Sequence, residues 1–328
     1  MNKKVLAVAV GATLAAAPLL SAQAAKVKVY GKALVEVVNV DSSTGAVTDG
    51  VYQGDAGGRS RWGVKASQDL GNGMKAIAKF EFKLDPSNNS AESNRDQWVG
   101  LKGGFGTVKF GRLPGTYKMF GGVKWDPYTA SFLEARRSGG MSGDAWGHNG
   151  FINDIIEYTT PKGLGGFTFQ GQYIADESGG DDGSYALGVK WKGGPLEVIA
   201  VTNNRESKDA QNTKVGARYK SGGLTVFGQY EDVENGGSIR VNGQKLTAAV
   251  DGSHWIVGVG YKFGNNLLHG NIGAFDADAG GGADTDYLAI GITHFFDKKT
   301  RIYAGYANTD QSGVDDVDLI GAGMRFDF

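Results

Sequence analysis

Along most of this chain apolar and polar residues alternate one for one. In "MKAIAKFEFKL", Met74 to Leu84, the residues Ala76, Ala78, Phe80, Phe82 and Leu84 share one face, and Lys75, Ile77, Lys79, Glu81 and Lys83 share the other. A period of two marks a β-strand whose faces meet different surroundings. "VKVYGKALVEV" sets Val27, Val29, Ala33, Val35 and Val37 against Lys28, Lys32 and Glu36. Trp255, Val257, Val259, Tyr261 and Phe263 oppose Gly258, Gly260 and Lys262, and the closing "IGAGMRFDF" alternates up to a terminal Phe328. Leu288 to Phe296 is apolar on both faces, so parity does not orient it. No long amphipathic helix interrupts the pattern.

Sixteen such segments begin near residues 27, 59, 73, 94, 106, 151, 166, 183, 195, 212, 223, 252, 266, 285, 300 and 317. Short connectors, such as Leu70–Gly73, Gly103–Gly106 and Lys220–Gly223, alternate with longer ones at 41–58, 85–93, 113–150, 177–182, 204–211, 233–251, 277–284 and 309–316. An even strand number with short turns at one rim and long loops at the other describes an all-β fold, a 16-stranded antiparallel transmembrane barrel. In hydrocarbon every backbone N–H and C=O needs an internal partner, so a sheet survives there only by closing on itself. Aromatic residues at segment ends (Tyr158, Tyr173, Trp191, Tyr219, Tyr230, Phe263, Phe326) fit the interfacial girdles of such barrels.

Composition narrows the setting. Glycine supplies 54 of 328 residues, about twice its usual share. Cysteine is absent, so packing and backbone hydrogen bonds must hold the fold. Met1–Lys4 is basic, Val5–Leu20 is apolar, and Ala22-Gln23-Ala24 is a small-x-small site, which predicts a secretory signal peptide at 1–24. A single barrel domain then occupies 25–328. Losing Lys3 and Lys4 takes the net charge from −1 to −3. After the signal no run of about 20 apolar residues remains to form a spanning helix. Basic residues alternate with apolar ones and form no basic helix face, so nucleic acid is not an expected partner.

"SRWGVKASQDLGNGMKAIAKFEFKL" and "NRDQWVGLKGGFGTVKFGR" resemble the general trimeric porins of Gram-negative bacteria, most of all the Neisseria-type branch of β-proteobacteria. "IIEYTTP", Ile155 to Pro161, is similar to that family's strand after the constriction loop. The likeness spans the mature chain, closest in its first third. It implies a homotrimer in outer-membrane lipid and lipopolysaccharide, passing small hydrophilic solutes and ions by passive diffusion. It also implies that the third long loop, Leu113 to Gly150, folds inward, and that Phe328 is presented to the barrel-assembly machinery.

The resemblance further implies a constriction. Arg61 and Arg95 match a basic ladder on the wall, with Arg59, Lys79 and Arg112 beside it. Asp126, Glu134 and Asp144 would be the opposing acids of the loop, while Arg136 and Arg137 could face either way. Two departures stand out: His148 replaces an arginine that relatives often carry, and Glu157 lies where a basic residue is common. By parity the wall carries Arg59, Arg61, Lys65, Lys75, Lys79, Lys83 and Arg95 against Asp69 and Glu81, which favours a modest anion preference.

Other chemistry is set aside. "DADAGGGADTD", Asp276 to Asp286, lacks the glutamate spacing of an EF-hand and reads as a solvated loop. The four histidines show no metal-ligand grouping, and "GVGYKFG" leads into another strand rather than a helix. No cofactor, metal or catalytic constellation is expected, so an enzyme is not the reading. A barrel enzyme stays open as a remote alternative. So does a substrate-specific channel, for example for sugars, with Trp125, Tyr128, Phe132 and Trp146 as stacking surfaces.

Overall fold

The computed structural model describes residues 25–55, 59–87, 93–143, 146–175, 183–206, 209–237, 240–241, 244–245, 250–278 and 284–328, with side chains outside 235–250. The expected signal segment 1–24, Asp144, and residues 279–283 of the aspartate-rich stretch lie outside the described residues. The barrel strands begin with β1 (Lys26–Ser42), β2 in two segments (Gly50–Gly54 and Arg61–Gly71), β3 (Met74–Lys83), β4 (Ser93–Gly103) and β5 (Gly106–Leu113). They continue with β6 (Ile152–Thr159), β7 (Phe167–Ile174), β8 (Ser184–Gly193), β9 (Leu196–Arg205) and β10 (Ala210–Ser221). The last six are β11 (Leu224–Gly237), β12 (Val250–Phe263), β13 (Asn266–Ala277), β14 (Thr285–Phe295), β15 (Thr300–Gln311) and β16 (Asp315–Asp327). A two-residue-per-strand hairpin, Arg240–Val241 with Gln244–Lys245, stands apart from the barrel.

Each barrel strand pairs antiparallel with the next, and β16 returns to β1 from Lys32↔Asp327 to Ser42↔Val317. Closure leaves no strand edge facing lipid. The terminal residue finishes the seam: Gly31 N–H donates to the Phe328 carbonyl at 3.0 Å, and Phe328 N–H donates back to the Gly31 carbonyl at 3.1 Å. Where β2 is interrupted, the Ser60 hydroxyl takes over the ladder, accepting from Leu34 N–H at 3.0 Å and donating to the Leu34 carbonyl at 3.1 Å.

Five connections at one rim are two-residue hairpins, at 72–73, 104–105, 194–195, 222–223 and 264–265. At the first, Asn72 (φ 49°) and Gly73 (φ 74°) are both left-handed, as a turn matched to the strand twist requires. The opposite rim departs from expectation at 204–211 and 309–316. There the strands run on to Arg205↔Ala210 and Gln311↔Asp315, leaving short connections. Above the apolar band both faces meet water, so alternation fades while pairing continues.

The apolar faces point outward. Val27, Val29, Ile320, Met324, Phe326 and Phe328 are all exposed on the outer surface, as are Tyr158, Tyr173, Tyr219, Tyr230 and Phe263. Strand β14 shows why parity failed there. Leu288, Ile290 and Ile292 face outward, while Tyr287 and Ala289 face inward and are buried against the third long loop. One side meets lipid and the other meets protein, so both are apolar.

That loop, residues 114–151, holds a one-turn helix α1 (Thr116–Met119) and two 3₁₀ turns, Gly122–Lys124 and Ala135–Arg137. It lies inside the barrel. Tyr117, Phe120, Trp125, Tyr128, Phe132 and Leu133 form one buried cluster with the lumen-facing Leu34, Ile199, Phe227, Tyr287, Tyr303 and Leu319. Wall glycines allow the close approach: a Cβ at Gly291 would sit 2.8 Å from Leu133 Cδ1.

Candidate pore constriction

Lumen charges gather on β2 to β5, the arc opposite the seated loop. Between β3 and β4 the register slips, so that Phe80 pairs with Gln97 and Phe82 with Asn94. A bulge of this kind sets two residues against one, and here Arg95 and Asp96 both oppose Glu81. Simple alternation would send one of them to the lipid. Glu81 accepts from Arg95 Nε at 2.8 Å and from the Tyr30 hydroxyl at 2.8 Å, with Lys79 at 3.2 Å and Arg61 at 3.6 Å. Lys79 also pairs with Asp96. Lys65 lies over the Tyr30 ring at 4.4 Å. Arg61, Lys79 and Arg95 therefore face two carboxylates, Glu81 and Asp96, and keep one positive charge in excess at the pore.

Toward the long-loop rim, one aromatic ring collects three cations. Arg95, Arg112 and the loop's Lys118 lie 4.9, 5.7 and 4.5 Å from the centre of Phe151. Arg112 sits at a second register slip between β5 and β6 and donates to Asn153. Glu157, which the resemblance marked as a departure, is held by Lys109 at 2.6 Å and so is balanced locally. Sequence reasoning missed Tyr30, Asp96, Lys118 and Phe151. Only the bulge makes Asp96 visible, and nothing in its spacing announces that.

The expected acidic arm of the loop is not where the resemblance put it. Glu134 is fully buried and clamped by Arg59 Nε at 3.0 Å and Arg136 Nε at 2.7 Å. Burial pushes its carboxyl up, but Arg136 and Arg59 outweigh burial and hold it at about 2. Asp126 turns into the loop itself, accepting from the N–H groups of Tyr128 (2.9 Å) and Ala135 (3.0 Å), and burial pushes its carboxyl up to about 7. Arg136 and Arg137 are buried with them in the seam between loop and wall. Arg59 belongs to this seam as well, rather than to the ladder. The residue the loop does expose opposite the ladder is a cation, Lys124. Among the described residues, no group of His, Asp and Glu is arranged to hold a metal ion.

Residues 6–314 match the sequence model of the Gram-negative porins. The chain belongs to the Gram-negative porin family. It is 30% identical over 367 aligned positions to the major outer membrane protein P.IB of Neisseria meningitidis serogroup B, covering all of both chains. Among solved structures, it superposes on the anion-selective porin of Comamonas acidovorans with a TM-score of 0.73 at 21% identity, covering 93% of this chain and 100% of that one. A loop-deletion mutant of OmpT, an outer membrane protein of Vibrio cholerae, gives 0.70 at 20% identity, covering 93% and 100%. This porin is an outer-membrane channel for small solutes and ions, with the loop seated inside its barrel.

His148 explains how the porin holds that loop without the arginine its relatives often carry. The imidazole is fully buried. Its Nδ1 donates to the Ser142 carbonyl at 3.1 Å, and its Nε2 accepts from Lys214 Nζ (β10) at 2.9 Å. Beside it Glu231 (β11) accepts from Ser142 at 2.5 Å, Tyr117 at 3.0 Å and Gln229 at 2.9 Å. Arg136 donates to the His148 carbonyl, and His254 (β12) is a more distant neighbour. This tautomer follows from the hydrogen-bond partners. Burial, and then the Lys214 ammonium, hold the imidazole well below its usual range.

The sign follows. A released His148 binds a proton below about pH 6.5, but the seated one does not. The contribution of His148 to seating is therefore undiminished above about pH 6.5 and weakens below it, by at most about 1.4 kcal/mol per pH unit. Open-channel current noise is expected to rise between pH 6 and pH 5, and His148→Gln is expected to flatten that rise. Equal pH profiles for the two proteins would refute the assignment.

Proposed function

We propose that this channel conducts anions in preference to cations. The observation that carries the reading is the charge count at the narrow part of the lumen. Arg61, Lys65, Lys79, Arg95, Lys109, Arg112 and Lys124 face three carboxylates, Glu81, Asp96 and Glu157, while the loop's Asp126 and Glu134 are turned away from the water. Local wall charge outweighs the overall net charge, because charges beyond a screening length of about 10 Å are damped. A field that crosses the pore from a basic wall to an acidic loop is not part of this reading. Both sides of the constriction are basic among the described residues. Reversal potentials across a planar bilayer in a potassium chloride gradient test it: anion preference is expected, and a clear cation preference overturns it.

The homotrimer implied by the resemblance belongs to the same proposal. The outer face of β2 to β5 supports it, since Ala66, Ala76 and Ala78 leave an apolar groove of about 380 Å³ bordered by Val99, Leu101 and Phe110. Small side chains there let a neighbouring copy approach closely. Chemical cross-linking in native membranes would report the copy number.

A further inference from the structure

The loop does not seal the barrel on the short-turn side. Below it, along β10 to β14, an alcove of about 260 Å³ opens from the lumen. Trp125 and Pro127 of the loop form its roof, and Arg218, Lys220, Lys262, Leu267, His269 and Phe295 line its walls, with Gly222, Gly223 and Gly260 leaving room at the back. Aromatic faces and cations alternate within it. The Arg218 guanidinium lies 5.7 Å from the Trp125 ring, and Phe295 is flanked by Lys262 at 5.6 Å and Arg301 at 5.3 Å.

Its polar groups are unevenly satisfied. Glu197 takes up Trp125 Nε1 at 2.6 Å and Arg218 at 3.1 Å, and Asp327 takes up Arg301 at 3.0 Å and Arg325 at 2.8 Å. Lys220 and Lys262 have no carboxylate partner among the described residues. His269 is 2% exposed, stacked parallel to Phe227 and edge-on to Tyr128. Among the described residues neither of its ring nitrogens has a hydrogen-bond partner. A buried imidazole is stabilised by any group that hydrogen-bonds to it. The buried imidazole and two exposed ammonium groups with no carboxylate partner among the described residues border one cavity.

We propose that this alcove is a binding subsite for a small aromatic carboxylate, a benzoate-like monoanion. The chemistry selects that class on three counts. Two free ammonium groups suit one carboxylate, whereas a phosphate would call for a denser set of donors. The slot between Trp125, Pro127, Leu267 and Phe295 is apolar and takes a flat ring, which an acetate-sized anion would leave unfilled. Its volume, below the usual range of about 300–1,000 Å³ for ligand pockets, holds one small ring and little more. The anions that the basic wall attracts are thus sorted a second time, by shape, on the short-turn side. This rests on the anion-conducting reading above.

The test is single-channel recording in potassium chloride with benzoate or acetate added to one face at a time, for the wild type, Lys262→Gln and Phe295→Leu. Benzoate is expected to reduce the chloride current saturably, more strongly from the short-turn face, and acetate is expected not to. Lys262→Gln should raise the half-blocking benzoate concentration about fivefold, the effect of one unit charge at contact distance in water. Phe295→Leu should raise it without any change of charge. The same response to benzoate and acetate, or wild-type block in both variants, overturns the subsite. Calorimetric titration of the detergent-solubilised wild type with benzoate separates the two readings. A cation-preferring channel that still binds benzoate sinks the anion-preference reading alone, and an anion-preferring channel that binds none sinks the subsite alone.

Discussion

Replacing Arg61 and Arg95 together by glutamine is expected to cut the chloride-over-potassium permeability ratio at least about fivefold in dilute salt. A unit charge 4 Å from a permeating ion contributes about 1 kcal/mol even at the dielectric of water, which is a fivefold change in local concentration. Two such charges are removed, but Glu81 then keeps Lys79 as its close partner, so part of its negative charge stays neutralised. The wall still changes by two unit charges, and each acts in opposite senses on the two ions, so about fivefold is the lower bound. Glu81→Gln should act the other way, leaving Arg61, Lys79 and Arg95 with no shared acid and raising the ratio. In 1 M salt both effects should shrink, since the screening length falls to about 3 Å. The measurement is the reversal potential in matched gradients at both ionic strengths. An unchanged ratio in the double variant would mean that these arginines are ordinary wetted wall charges and that selectivity is set elsewhere.

How much of this was legible from the residues depends on what each residue answers to. Strand positions answer to lipid on one side and water on the other, and that contrast is written into alternation. Each of the sixteen expected starts lies within two residues of a strand start, apart from the extra segment Gly50–Gly54. Alternation fails where the contrast fails. In β14 Tyr287 and Ala289 pack on Leu133, so both faces are apolar. At β4 one inserted residue brings Arg95 and Asp96 to the same side, and a parity rule cannot register that. The constriction loop answers to no period at all. Its acids are pore-facing only by what the resemblance implies. Asp126 and Glu134 instead satisfy backbone N–H groups and arginines within the loop, a role that spacing does not reveal. Family resemblance implies a ladder at Arg61 and Arg95, but does not supply the orientation of the loop against it.

That the loop is fastened as a packed layer, and not merely folded inward, leads to the largest structural effect expected here. Leu133 is fully buried between Tyr128, Tyr287 and the glycines of β14 and β15. Leu133→Ala would cost about 2–5 kcal/mol of packing, and Leu133→Asp adds an unpaired carboxylate to the same site. The polar fastenings are separate: Phe132 N–H to Glu36 at 3.0 Å, Gly122 N–H to Gln229 at 2.7 Å, and Thr309 to the Ser138 carbonyl at 2.7 Å. Each of these three is worth about 1 kcal/mol net, and none supplies a partner for an aspartate at the centre of the apolar seam. The barrel should outlast the loop, because its hydrogen-bond ladder closes between β1 and β16 without any contribution from residues 114–151. Leu133→Asp is therefore expected to keep the β-sheet circular dichroism of the wild type. Its steady single-channel level should be replaced by a broad, fluctuating current as the loop leaves the wall. Leu133→Ala should show the same fluctuation at lower amplitude. A steady wild-type current from Leu133→Asp would show that the apolar seam is dispensable and that the polar fastenings alone hold the constriction.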